Sequence, residues 1–129
     1  MKTKRHFFLV LTLLSFSFML FAFSCKKEST DTFCTTKRTE YLSVTNKEGI
    51  VVYSNKYNRY AISFDSTKPN NIDNQVIGFV CNLNSELKNV GLKVLVSGTL
   101  KIFNANENMT PEIGGQELYF FETTQLIKK

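Results

Sequence analysis

The side chains able to do chemistry in this 129-residue chain are few. Its one histidine, His6, stands among Lys2, Lys4 and Arg5, directly ahead of an apolar run from Phe7 to Phe23. A chain cut after that run keeps no side chain that titrates unperturbed near neutral pH. A histidine-based triad, a Cys/His dyad and a histidine-bearing zinc site are then impossible. Hydrolysis by carboxylates alone would need two acids held together. Asp65 and Asp73 flank one loop, but no motif joins them. Glu107 and Glu112, with Asn104 and Asn106, could approach a cation, yet their spacing matches no calcium loop. The strongest binding candidates are Lys56, Tyr57, Arg59 and Tyr60, where aromatic rings alternate with bases and could stack on and hydrogen-bond a ligand. Tyr53 and Tyr60 read equally as strand ends that pack a core.

The elements that position these residues begin with the N-terminus. A basic start, an apolar stretch and small residues before a cut site form the layout of a secretory signal. The run of 17 residues is at the short edge of what spans a bilayer core of about 30 Å. Its end, Phe21-Ala22-Phe23-Ser24-Cys25, resembles the lipobox of bacterial lipoproteins, with Ser24 at the small position and Cys25 as the acylated residue. Ala22 and Phe23 depart from the usual leucine and small residue, a looseness similar to that of Bacteroidota-type lipoproteins. The resemblance implies that residues 1–24 are removed and that Cys25 carries fatty-acyl chains such as palmitate, which hold a small domain on a membrane durably. Lys26 stands where an aspartate retains some lipoproteins in the inner membrane, so the resemblance implies an outer-membrane location.

Residues 25–129 carry 13 bases against 11 acids, so the net charge of +5 for the whole chain falls to +2. A nucleic-acid partner would rest largely on discarded charge. With Cys25 acylated, Cys34 and Cys81 remain in an oxidising compartment. Bridged, they close a loop of 48 residues, worth roughly 4 kcal/mol on the chain-entropy account. Otherwise Cys81 is a thiol buried on a strand and Cys34 a free one.

Residues 25–39 are polar and without period, and read as a flexible tether ahead of one domain, 40–129. Tyr41–Val44 and Ile50–Tyr53 are two short strands, or one long strand with a bulge near Gly49. Tyr60–Phe64 alternates as a strand, and Gln75–Cys81 is apolar enough to be buried on both faces. Asn84–Asn89 offers a helical turn closed by Gly91. Leu92–Phe103 is a long strand bent at Gly98. A loop over 104–116 leads to a last strand, Leu118–Ile127. Phe120 and Phe121 point to opposite faces, so one fills the interior and the other needs cover. Three strands, a short helix and two strands are the order of the OB-fold, a small five-stranded barrel. In it the loop joining the first two strands and the loop before the last strand border a ligand face.

Ile77-Gly78-Phe79-Val80-Cys81-Asn82-Leu83, Glu86-Leu87-Lys88, Gly91-Leu92-Lys93-Val94 and Ser97-Gly98-Thr99-Leu100-Lys101 resemble a recurring group of small Bacteroidota-type envelope lipoproteins. Their shared run is CNLP-x-x-x-K-x-x-GLKV-x-FSG, with Asn84 here in place of proline and Leu95 in place of phenylalanine. The group implies an OB-like domain and brings no assigned activity. Asp65-Ser66-Thr67 resembles an envelope O-glycosylation sequon, with Ser66 as acceptor. Asn108-Met109-Thr110 matches the N-glycosylation pattern, whose machinery is not expected in such a cell. The expected protein is a lipid-anchored, non-enzymatic module without cofactor or metal, meeting a protein or saccharide partner. The alternative is an accessory subunit of an envelope complex.

Overall fold

The structure is a computed structural model, and residues 31–65 and 74–129 are described. The signal segment 1–24, Cys25, the first part of the tether and Ser66 lie outside them. Five strands form a closed barrel in the order β1-β2-β3-β5-β4: β1 Thr39–Ser54, β2 Arg59–Asp65, β3 Gln75–Phe79, β4 Lys93–Ile102 and β5 Gln116–Lys128. All neighbours are antiparallel except β3 and β5. This is the expected mainly β, OB-like barrel. The expected helix between β3 and β4 is a single 3-10 turn, Ser85–Leu87, that drops Leu87 onto the interior.

The 16 residues of β1 form one strand, not two. Its first stretch pairs with β4 and its last with β2, with a register shift between Val44 and Lys47. Asn46 sits there in the left-handed region (φ 48°), which asparagine tolerates better than most residues, and its N–H donates to Ser97 Oγ at 2.9 Å. Gly98 marks the matching irregularity between β4 and β5. A Cβ there would lie 2.2 Å from the Glu122 carbonyl oxygen, so glycine is what lets the two backbones approach.

The interior holds Val51, Ile62, Val94, Val96 and Leu100, all without solvent exposure, around Phe121. Gly78 makes room for that ring, because a Cβ at position 78 would come 2.8 Å from Phe121 Cβ. A second apolar cluster lies apart from this one, centred on Ala61, Ile77 and Phe79. It follows from the near-continuous apolarity of β3, whose alternate residues join different clusters.

The packed unit starts at Thr32, which corrects the boundary expected at residue 40. Residues 32–38 are not a free tether: Thr32–Thr35 is a one-turn helix, α1, docked by Phe33 and Cys34. Four polar residues give no helical period, and so short a helix is held by its contacts and not by propensity. Among the described residues no helix is long and apolar enough to cross a membrane.

Candidate functional site

The outer face of β2, β3 and β5 is where the two ends of the chain's logic meet, because three irregular segments cover it. From the N-terminal side comes Phe33, whose ring packs at 6.5 Å from Phe79, 5.8 Å from Phe103 and 5.6 Å from Phe120. Phe120 is thus the ring that needed cover, and α1 supplies it. Guanidinium groups bracket these rings: Arg38 stands 4.2 Å from the Phe120 centroid and Arg59 4.0 Å from that of Phe33. Each is within cation–π range. Cys34 and Cys81 are disulfide-bonded, with Cα atoms 5.6 Å apart, which joins α1 to the residues just beyond β3.

Arg38 has no exposed side-chain surface. Its Nε donates to both Glu107 oxygens at 3.1 Å, its Nη2 pairs with Oε1, and Nη2 also donates to the Phe33 carbonyl at 2.7 Å. Glu107 closes a capping box on the 3-10 turn Ala105–Glu107 by accepting the Asn104 N–H at 2.8 Å. Burial pushes the Glu107 carboxyl up, but the Arg38 hydrogen bonds, the Asn104 amide and the Arg38 charge outweigh it and hold the group below the ordinary carboxylate value. Glu107, weighed as a cation ligand, is therefore committed to Arg38. Among the described residues no three acids, cysteines or histidines converge to hold a metal.

The β1–β2 loop, 55–58, is clasped to the β4–β5 loop, 103–115. Tyr57 Oη donates to the Thr110 carbonyl at 2.8 Å and accepts the Thr110 N–H at 2.7 Å. Lys56 Nζ donates to Thr110 Oγ1 at 2.6 Å, and Ser54 Oγ donates to Glu112. Burial opposes ionisation of Tyr57, yet the Thr110 bonds and Lys56 bring its hydroxyl below the usual phenol value. The Tyr57 ring meets Phe79 edge-on at 5.5 Å.

Beside this clasp opens a cleft of about 200 Å³. Val52, Ile77 and Leu118 provide its apolar lining, Tyr57 and Phe79 add aromatic rings, and Gln75, Gln116 and Glu112 add polar groups. Gln116 Nε2 donates to Gln75 Oε1 at 3.2 Å, and Gln75 Nε2 donates to Ser63 Oγ at 2.5 Å, so the two amides are oriented in series. A second cleft of about 320 Å³ shares Gln75 but is lined by charges of both signs, among which Glu48 pairs with Lys129.

Of the four residues singled out in sequence, Lys56 and Tyr57 meet at Thr110, and Tyr57 alone lines the cleft. Arg59 lies against Phe33, while Tyr60 packs toward the interior and edge-on to Tyr53 at 4.8 Å. The residues that sequence reading missed, Phe33, Arg38, Gln75 and Gln116, carry no local motif. Their indirect signals were the apolarity of β3 and the Phe120-Phe121 pair, which implied a covered outer face. Comparison with protein-family models and with curated proteins finds no match to this chain.

Proposed function

We propose that this protein is a lipid-anchored component of the bacterial envelope, held in the outer membrane through Cys25, and that its barrel is a non-enzymatic binding module. The single observation that carries the binding reading is the cleft beside the clasped β1–β2 and β4–β5 loops, the border of the ligand face in OB-like barrels. An apolar lining with a few oriented polar groups is what a recognition site needs. The anchor rests on the sequence alone, on Ser24-Cys25 after a basic start and an apolar run.

The accessory-subunit alternative draws nothing from Phe120 or Phe121, since both are buried within the chain itself, at 7% and 1% exposure. A photo-crosslinking residue placed at Ile113, which lines the cleft and is 67% exposed, tests the binding reading in living cells. Adducts are expected from Ile113 and not from exposed Thr124, on the stretch of β5 that pairs with β4 and not with β3. Equal adducts from both positions, or none from Ile113, would overturn it.

A further inference from the structure

Resting on that binding reading, we infer that the cleft beside the two clasped loops takes a neutral sugar ring of a saccharide. The lining decides the charge of the ligand. It holds one carboxylate, Glu112, and neither lysine nor arginine. A phosphate, sulfate or uronate would meet a like charge with no cation on the lining to offset it. Lys56, the nearest base in the sequence, is not part of the lining, and its ammonium is directed at Thr110 Oγ1 and the Thr110 carbonyl.

The shape decides the class. A cleft of about 200 Å³ is smaller than the roughly 300–1,000 Å³ of sites for drug-sized ligands, so it suits one ring at a time. An extended peptide added as a strand would need an open sheet edge, and this barrel is closed. A sugar ring offers an apolar C–H face and a girdle of hydroxyls. Val52, Ile77 and Leu118 suit the first. For the second, Gln75 and Gln116 are each fixed by hydrogen bonds already made, and each retains an amide hydrogen and carbonyl acceptor capacity. Glu112 accepts from Ser54 with one oxygen and has a second to accept a sugar hydroxyl. Donors and an acceptor held beside an apolar wall match vicinal hydroxyls above a C–H face. One ring bound in so open a site gives weak affinity, which many anchored copies on one membrane raise through avidity.

The full chain in detergent micelles, applied to an array of neutral, uronic-acid, sialylated and sulfated glycans, tests this. Retention of neutral glycans is expected, and Gln116→Leu should lower it about tenfold, the loss of one net hydrogen bond. If Gln116→Leu fails to fold by circular dichroism, Ile113→Asp at the exposed rim serves instead and should lower retention as much. Preference for anionic glycans, retention of none, or retention that neither variant changes would overturn the inference. The crosslinker at Ile113 separates the two levels: a protein adduct without glycan retention ends the sugar assignment and leaves the binding module standing. With neither adduct nor glycan, both readings fall.

Discussion

Arg38 and Glu107 form a largely buried ion pair that ties two distant segments of the chain together. Arg38 is fully enclosed, and it binds both the loop ahead of β5, through Glu107, and its own segment, through the Phe33 carbonyl. Arg38→Ala therefore leaves a largely buried carboxylate without its cation, and should cost about 3 kcal/mol in urea unfolding. Glu107→Gln should cost less, because the amide still accepts from Arg38. The pair also sets an acid limit. The Glu107 carboxyl lies below its ordinary value in the folded state, so its contribution is complete above the unfolded value of about 4.3. It is lost as pH falls through the depressed folded value. Melting followed by circular dichroism below pH 4 should show the wild type losing stability faster than Glu107→Gln. Parallel loss in both would deny Glu107 that role. Gly98 is the other residue whose substitution has a definite cost. Gly98→Ala sets a methyl group 2.2 Å from a backbone oxygen that cannot retreat without opening β4 from β5. A loss of about 3 kcal/mol is expected, where an exposed β4 site tolerates alanine.

At the scale of elements, α1 covers part of the outer face of β3 and β5 through Phe33. Besides Arg38, two devices hold it, the Cys34–Cys81 bond and the Phe33 ring, and they act on the same seven residues. Cys34→Ser with Cys81→Ser should cost about 4 kcal/mol by the entropy of the 48-residue loop. Phe33→Ala, at a half-buried ring, should cost about 2 kcal/mol in the oxidised protein. The combined variant should lose less than the sum, since a segment already released cannot be released again. Full additivity would show that the ring packs independently of the bond. The barrel itself was legible in the chain: Tyr60–Phe64 alternates, Leu92–Phe103 runs long about Gly98, and a helical turn falls between β3 and β4. The docking of residues 32–38 was not, because it depends on Phe79 of β3, Phe103 just after β4 and Phe120 of β5 converging. Long-range convergence leaves no periodic trace. The site divides in the same way. Tyr57 was visible as an aromatic in a polar turn, whereas Gln75 and Gln116 become neighbours only through the parallel pairing of β3 with β5.

For the whole molecule, the proposed anchor and the observed start of the packed unit set a geometric bound. Six residues lie between Cys25 and Thr32, and a chain of that length reaches at most about 25 Å when fully extended. A barrel so tethered would work close to the membrane surface, and its anchor would lead into a segment that the disulfide fastens next to β3. That arrangement exists only if the chain is cut before Cys25, acylated there and oxidised at the other two cysteines. All three events are readable in one spectrum. Intact protein extracted from native membranes should have the mass of residues 25–129 plus fatty-acyl chains, and should gain two hydrogens on reduction. Alkylation before reduction should add nothing, and after it should add two groups. A mass beginning at Met1 would remove the anchor. The compartment argument, the near-neutral surface and the exclusion of His6 chemistry would go with it, while the barrel and its sugar-sized cleft would stand as they are.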